Sequence, residues 1–269
     1  MNRKNGSKRL IMRPALIVTI GLVVTVFGTP LVALAGGIVT GKVTYNGKAE
    51  QKEFVFSKFP NAKFCSKNPH KELVQGDKRI MPTIRVGTGG ALRDAVVAVT
   101  DIEDHAFMDA FNGTKHIGAF CEWLEFTGIV VNKKNFHVEN HDADPDDPKS
   151  LKGVLHNPHA FETLGPSSTT VFNIALAEIG SKLDKPVTLR KQGSTFRLQC
   201  DQHEFMQAFF MPVTNPYYAV ANEEGGFEIS GVPPGKHRIM AWHPFAGKVE
   251  IDIEVTEGVK TQTSLEIKK

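Results

Sequence analysis

Cysteine is scarce in this chain of 269 residues, which contains only Cys65, Cys121 and Cys200. None of the three belongs to a Cys-x-x-Cys pair, so the sequence excludes a dithiol exchange site. The absence of Cys-x-x-Cys-His equally excludes covalent attachment of haem. No other cysteine lies close to Cys200 along the chain, which excludes a binuclear centre bridged by neighbouring thiolates.

Strong positive charge is also missing once the N-terminal segment is set aside. Residues 1–35 combine five basic residues, an apolar run over 15–28 and the sequence Ala-Leu-Ala at 33–35, the pattern of a secretion signal peptide. Without them, 27 lysines and arginines face 29 acidic residues, so a nucleic-acid partner is not expected. We expect cleavage after residue 35, a periplasmic or secreted protein, and no membrane span after signal cleavage. A retained membrane anchor is the alternative interpretation of this segment.

Helical periodicity is nearly absent from the remainder of the chain, and most regular segments have the composition or alternation of strands. These segments are 38–45, 95–100, 169–176, 187–189, 226–230, 236–242 and 249–255. Only the stretch 101–120 has a pattern that accommodates a short helix. The sequence therefore predicts an all-β fold.

One short motif gathers residue types that bind metals. Cys200, His203 and Met206 form a Cys-x-x-His-x-x-Met run at the end of an alternating strand, 196–200. Alternation places the Cys200 thiol on the inner face of that strand, and a tight turn can bring the other two side chains back over it. Three ligands on one loop cannot surround a metal, so we expect His156 to join them from a separate strand. One thiolate, two imidazoles and a thioether suit a mononuclear copper ion.

This pattern resembles that of the cupredoxins, the plastocyanin and azurin type of blue copper protein. That family has a His-Asn pair on an early strand, matched here by His156 and Asn157, and a Cys, His, Met loop before its last strand. The resemblance implies a Greek-key β-sandwich. It also implies three equatorial ligands and one axial ligand, namely His156, Cys200, His203 and Met206. His159 is an alternative or additional ligand.

The other two cysteines are the candidates for a disulfide bond. An odd count leaves at least one thiol unpaired, and Cys200 already has a role as a metal ligand. Cys65 and Cys121 then either pair in an oxidising compartment or remain free.

The C-terminal part of the chain has a second set of motifs, at 219–229 and 231–242. They resemble the second part of a carboxypeptidase regulatory-like domain, a small transthyretin-like β-sandwich. Counterparts of that family's two opening strands occur far upstream, at 37–43 and 92–99. The resemblance implies a discontinuous domain into which the cupredoxin-like sandwich is inserted, with two sandwiches in tandem as the alternative. The expected segments are a signal peptide (1–35), N-terminal strands of the regulatory-like sandwich with a connecting segment (36–119), the cupredoxin-like domain (120–216) and the rest of the regulatory-like sandwich (217–269).

Electron transfer is the function that this ligand set favours, with a redox partner such as a c-type cytochrome. We expect no enzymatic activity, because no substrate-activating base accompanies the ligands. Copper storage or delivery is an alternative function. The sequence has no run rich in methionine, which argues against it. A metal-free adhesion or carbohydrate-binding module is another, and it leaves the ligand spacing unexplained. A cysteine hydrolase would lack an orienting third group.

Three further expectations concern exposure. His203 is expected near the surface, ringed by phenylalanines that form a docking patch. The acidic segment 142–148 lacks the glycine and glutamate of a helix-loop-helix calcium site and is expected to be a solvated loop. Trp242 is expected in the core, and His243 beside it is expected in solvent.

Overall fold

The structure, a computed structural model, describes residues 36–269, and the predicted signal peptide lies outside this part of the chain. Strands predominate, so the predicted all-β fold is confirmed. No helix in the described part is long and apolar enough to cross a membrane. In chain order the elements before residue 114 are β1 (Gly37–Tyr45), β2 (Glu50–Val55), α1 (Ala62–Cys65), β3 (Val74–Gln75), β4 (Lys78–Ile84), β5 (Val96–Val99) and α2 (His105–Ala110).

The remaining strands fall into two groups along the chain. The middle group is β6 (Thr114–Ala119), β7 (Glu122–Trp123), β8 (Thr127–Val130), β9 (Asn135–Asn140), β10 (Pro158–Leu164), β11 (Ser167–Asn173), β12 (Lys182–Pro186), β13 (Thr195–Cys200) and β14 (Gln207–Pro212). The last group is β15 (Tyr218–Val220), β16 (Gly226–Val232), β17 (Gly235–His243), β18 (Gly247–Val255) and β19 (Lys260–Ile267).

Strands β6 to β14 form a central β-sandwich. One sheet has the order β11-β10-β13-β14-β8, and the other has the order β12-β9-β6-β7. Neighbouring strands are antiparallel except for the parallel pairs β14 with β8 and β6 with β9. Phe136, Phe196 and Phe210 are buried between the sheets, with ring centroids 4.8 to 5.9 Å apart. Close aromatic packing of this kind fixes the separation of the two sheets.

Strands from both ends of the described chain share two further sheets. β1 lies between β16, to which it is antiparallel, and β19, to which it is parallel. β5 lies between β15 and β17, and β18 forms the outer edge beyond β17. Val39, Val97, Ile239 and Leu265 are buried in the core that these sheets enclose. The assignment of this part to the carboxypeptidase regulatory-like family stays a prediction.

A small apolar cluster joins the two groups of sheets. Val96 and Ala98 of β5 pack with Ile129, Met211 and Val213 at one edge of the central sandwich. All five side chains are buried. Burial of these side chains favours one fixed arrangement of the sheets.

The stretch 101–120 is only partly helical. α2 begins after Asp104, whose side chain accepts a hydrogen bond from a backbone N–H of the first turn. The chain then turns at Gly113, which has a φ of 98° that glycine adopts at little cost. β6 follows and pairs with β9. β6 therefore makes Thr114 the first strand residue of the central sandwich.

Residues 56–65, which we call the cover segment, run over one end of the central sandwich. They comprise a 3-10 turn at Phe56–Lys58 followed by α1. The rings of Phe56 and Phe59 meet the ring of Phe205 edge to face, with centroids 6.2 and 5.2 Å away. At its end, Cys65 is disulfide-bonded to Cys121, a pairing that the sequence left open. The cover segment is thus anchored by both apolar contacts and a covalent bond.

His243 is buried and Trp242 is only half-buried, which reverses the exposure predicted for these neighbours. The Nδ1 atom of His243 accepts hydrogen bonds from the backbone N–H groups of Phe245 (3.3 Å) and Ala246 (3.2 Å), in the turn between β17 and β18. Burial, and secondarily the charge of Arg85, lowers the pKa of His243 to about 4. The turn therefore depends on a neutral imidazole.

We expect this histidine to destabilise the protein in mild acid. The folded state keeps His243 neutral down to about pH 4, whereas the unfolded chain takes up a proton near the ordinary pKa of 6.5. The unfolded state thus binds more protons between these values, so the free energy of unfolding falls as the pH drops through this window. The contribution is on the order of 2 kcal/mol between pH 7 and pH 4.5.

The measurement is urea denaturation of the wild type and of a His243→Asn variant across that pH range. The asparagine side-chain oxygen can accept the same hydrogen bonds and does not titrate. The difference in unfolding free energy between the two proteins should therefore change with pH, and a constant difference would contradict the assignment.

Candidate metal site

Three of the four predicted ligands converge inside the central sandwich. The sulfur of Cys200 lies 3.8 Å from Nδ1 of His156 and 3.7 Å from Nδ1 of His203. The three ligand atoms all lie within 4.8 Å of one another, and the side chains are fully buried. A trigonal metal with bonds of about 2.3 Å to sulfur and about 2.0 Å to nitrogen holds these two atoms about 3.7 Å apart. The observed spacing therefore fits one first-row metal ion between a thiolate and two imidazoles.

Cys200 reaches this point because β13 alternates as predicted. Phe196, Leu198 and Cys200 are buried, while the residues between them are partly exposed. The chain then folds back in a compact turn. The N–H of His203 donates to the Cys200 carbonyl (3.2 Å), and the N–H of Cys200 donates to the carbonyl of Met206 (3.0 Å). The turn returns Met206 to the strand end with its side chain buried.

His156 comes from the segment that leads into β10. Its backbone forms a two-way bridge with Leu176, at 3.1 and 2.7 Å. The next residue, Asn157, donates its backbone N–H to the Cys200 sulfur at 3.3 Å. Its carbonyl accepts the N–H of Asp201 at 3.1 Å. Asn157 therefore ties the segment that carries His156 to the end of β13 that carries Cys200.

His159 does not take part in this cluster. It lies on β10 with its Nδ1 atom 3.1 Å from Asp201 and its Nε2 atom 2.9 Å from the Thr170 hydroxyl. Its ring lies against that of Phe161, with centroids 4.0 Å apart. Both ring nitrogens are engaged away from Cys200, so the structure favours His156 over His159 as the partner of this thiol.

The outer nitrogen of each clustered imidazole is held by an oxygen acceptor. Nε2 of His156 lies 2.8 Å from a carboxylate oxygen of Asp142, and Nε2 of His203 lies 3.2 Å from the backbone carbonyl of Pro60. These contacts to Nε2 leave Nδ1 as the ring nitrogen that faces the Cys200 sulfur in both histidines. Acceptors that fix the tautomer in this way also orient histidine ligands in metal sites.

Asp142 is a site residue that the sequence analysis missed. It belongs to the acidic segment expected to be solvated, yet Asp142 and Asp144 are buried. The Asp142 carboxylate also accepts the backbone N–H groups of Phe120 and Cys121. Both of these residues adopt a positive φ, 56° and 54°, which turns consecutive N–H groups toward one anion. The anchored carboxylate explains why part of the acidic segment is drawn inside.

We expect Asp142→Asn to lower the free energy of unfolding by about 2 kcal/mol, because a neutral amide cannot accept all three hydrogen bonds. Asp146→Asn is the matched control. Asp146 is exposed, and within residues 36–269 its carboxylate pairs only with the exposed Lys67, an arrangement that contributes little. Urea denaturation at pH 7 compares the two variants, and equal effects would show that Asp142 does not anchor the site.

The Cys200 thiol and the His156 imidazole form a charged pair. Desolvation raises the pKa of the Cys200 thiol, but hydrogen bonds from His156 and His203 outweigh it and lower the pKa to about 6. Desolvation likewise lowers the pKa of His156, and hydrogen bonds to Asp142 and Cys200 together raise it to about 9. At neutral pH the site therefore contains a thiolate, the form of cysteine that binds metals.

The site is sealed from solvent rather than open at His203. His203 and Phe205 are buried, which corrects the expected surface histidine and its docking patch. The cover segment causes this burial, and the backbone carbonyl of its Pro60 accepts a hydrogen bond from Nε2 of His203. The sulfurs of Cys65 and Cys121 lie within 4.8 Å of a ring nitrogen of His203. Pro60 itself is exposed, so this hydrogen bond links the buried His203 directly to a surface residue.

Comparisons with known proteins give only distant similarities. No family model matches the chain, and no curated protein is similar enough to count as a relative. The copper-containing nitrite reductase NirK from Thermus scotoductus SA-01 is 13% identical over 38% of this chain and 22% of that chain, with a TM-score of 0.28. Two Cu(I) structures of amicyanin, each of a different methionine-to-alanine variant, also match. One is 13% identical over 44% of this chain and 98% of its own, with a TM-score of 0.27. The other is 15% identical over 45% of this chain and 100% of its own, also with a TM-score of 0.27. Scores this low establish neither a shared family nor a shared function.

Proposed function

We propose that this chain is an exported copper-binding protein of the cupredoxin type that transfers electrons and has no enzymatic activity. The observation that supports this most strongly is the approach of the Cys200 sulfur to within 3.8 Å of two buried Nδ1 atoms. The residues that would hold the ion are His156, Cys200, His203 and Met206. A bound copper ion would supply one-electron chemistry by alternating between Cu(I) and Cu(II).

The chain's own residues hold the donor atoms in place before any metal arrives. Asp142 and Pro60 fix the two imidazoles, and the N–H of Asn157 supports the thiolate. His156 and Cys200 share one proton, which would have to leave before both could serve as metal ligands, because both bind metals in their deprotonated forms. Donor atoms that are held by surrounding residues would move little between the two oxidation states of a bound ion. Fast electron transfer requires such a small rearrangement.

The enclosed site favours electron transfer over copper delivery. Delivery requires a metal that a partner's ligands can reach, whereas all three donor residues are fully buried here. An electron needs no such access. We propose that it leaves through His203 and the hydrogen-bonded carbonyl of Pro60, which is exposed at the surface of the cover segment. The proposed partner is a redox protein such as a c-type cytochrome.

The Cys65–Cys121 disulfide supports export. Disulfides persist in the periplasm and outside the cell and are rare in a reducing cytosol. The bond agrees with the secretion signal predicted over residues 1–35. We therefore propose that the protein works in the periplasm or in the extracellular space.

Copper loading of the full chain tests the proposed function. We expect one copper per chain by metal analysis and an intense thiolate-to-copper visible band that ascorbate bleaches and ferricyanide restores over repeated cycles. We also expect the metal to resist a Cu(I) chelator such as bathocuproine disulfonate. A colourless protein that yields Cu(I) readily would indicate copper delivery instead, and a protein that takes up no copper would overturn the proposal.

A further inference from the structure

The disulfide that anchors the cover segment lies beside the proposed copper site. The sulfurs of Cys65 and Cys121 and a ring nitrogen of His203 all lie within 4.8 Å of one another. All three residues are buried. Two sulfurs and one imidazole nitrogen therefore form a second group of potential metal ligands, which we call the disulfide group. It shares only His203 with the group of His156, Cys200 and His203.

The residue types of the disulfide group suit a soft metal ion once the disulfide is reduced. Reduction converts the bond into two thiols, and thiolate ligands select Cu(I) and Zn(II) among the common biological metals. A structural Zn(II) site in a protein almost always has four ligands. The disulfide group has only three members within residues 36–269. We therefore expect Cu(I), which is also stable with fewer than four donors.

The backbone positions allow the two thiolates to open around an ion. The α-carbons of Cys65 and Cys121 are 5.2 Å apart. Metal–sulfur bonds of about 2.3 Å in a trigonal site place the two sulfurs about 4 Å apart, which side chains on this spacing can reach. Cys65 is the last residue of α1, and Cys121 lies in the turn between β6 and β7. Rotation of these side chains therefore leaves the strand pairing intact.

His203 can serve the disulfide group because its two ring nitrogens have different partners. Its Nδ1 atom lies 3.7 Å from the Cys200 sulfur, and its Nε2 atom lies 3.2 Å from the carbonyl of Pro60. Pro60 belongs to the cover segment, as Cys65 does, so this contact need not survive reduction of the disulfide. An imidazole released from Pro60 keeps one nitrogen toward Cys200 and gains a second that is available to an ion.

We propose that the reduced chain binds one Cu(I) ion between Cys65, Cys121 and His203, so that this ion and the disulfide are alternative ways to anchor the cover segment. Binding of the ion displaces the two thiol protons and transfers no electrons. Conversion of the disulfide into this site consumes two electrons and two protons, which a dithiol reductant supplies as it becomes a disulfide itself. The site needs no ligand from Cys200 or His156.

Anaerobic titration of the full-length Cys200→Ser variant with Cu(I) tests the inference, after reduction with a phosphine that is then removed. The serine disables the proposed electron-transfer site, so a bound ion reports on the disulfide group. We expect one Cu(I) per chain in competition with bathocuproine disulfonate. The same variant with its disulfide intact should bind Cu(I) at least about a thousandfold more weakly, because a disulfide offers no thiolate. Equal binding by both forms, or no binding by the reduced form, would overturn the inference.

The wild type separates this inference from the proposed function. Its reduced form should bind one Cu(I) per chain more than its oxidised form, a difference that can be measured even if Cys200→Ser fails to fold. Copper binding by the oxidised wild type, with no additional ion after reduction, would refute the inference and leave the proposed function intact. An ion that binds only after reduction, in the wild type and in Cys200→Ser alike, would support the inference and refute the proposed function.

Two histidine variants in the reduced Cys200→Ser background distinguish a folded site from a pair of independent thiols. His203→Ala removes the third ligand and should weaken Cu(I) binding at least about tenfold. His159→Ala is the matched control, because that imidazole contacts Asp201 and Thr170 and belongs to neither group. Equal affinity in the two variants would mean that the thiols bind Cu(I) without His203, which would refute the assigned site.

Discussion

A Cys200→Ser variant is expected to lose the visible copper band completely and to bind Cu(II) at least about a thousandfold more weakly. The band arises from charge transfer between thiolate sulfur and copper, which a hydroxyl cannot provide. A serine hydroxyl also stays protonated at neutral pH, whereas hydrogen bonds from two histidines favour the thiolate of Cys200. A loss of about 4 kcal/mol in binding free energy corresponds to this factor. The measurement is a visible spectrum together with copper titration against a competing chelator.

His159→Ala is the control for this experiment. Its ring nitrogens bind Asp201 and Thr170 instead of facing the thiol, so colour and copper affinity should match those of the wild type. His156→Ala, by contrast, should lose the band in parallel with Cys200→Ser. Loss of colour in His159→Ala with retention in His156→Ala would mean that the protein uses the other histidine and that the present ligand set is wrong.

Removing the disulfide is expected to lower the free energy of unfolding by about 4 kcal/mol. The bond joins residues separated by 56 positions, and closing a loop of that length restricts the unfolded chain by about this amount. The variant is Cys65→Ala combined with Cys121→Ala, studied by urea denaturation without metal. Copper-loaded protein should also surrender its metal to a chelator faster, because the cover segment is then anchored only by non-covalent contacts.

The single variant Cys200→Ser controls for the loss of a buried sulfur, since it retains the disulfide. Its unfolding free energy should fall by less than that of the double variant. If the double variant unfolds at the same urea concentration as the wild type, the covalent bond is not what holds the cover segment in place.

Much of the fold was predictable because strands leave a local signal. The alternation of Phe196, Leu198 and Cys200 appears in the sequence as a period of two, and the structure confirms that all three are buried. The same holds for the alternating apolar residues of β18, which are more buried than their charged neighbours. The stretch 101–120 was harder to predict, because a six-residue helix and a strand follow each other there, one on each side of Gly113 in the sequence.

The surroundings of the site were not predictable, because they depend on contacts between distant parts of the chain. Pro60 and His203 are 143 residues apart and meet through a backbone carbonyl, which no sequence pattern marks. Asp142 lies among other aspartates, and only the folded position of two N–H groups selects it as the one that anchors His156. For the same reason, the sequence could not show that a remote segment covers His203.

Because the Cys65–Cys121 disulfide anchors the cover segment over the site, the moment at which this bond forms affects how an ion can enter. While Cys65 and Cys121 are still reduced, residues 56–65 are held over the ligands by non-covalent contacts alone, and an incoming ion meets a smaller barrier. After oxidation the disulfide also holds this segment, so an ion that arrives later would have to pass a more firmly anchored cover. We therefore expect a chain that meets copper before the Cys65–Cys121 disulfide forms to load faster than one that meets copper afterwards.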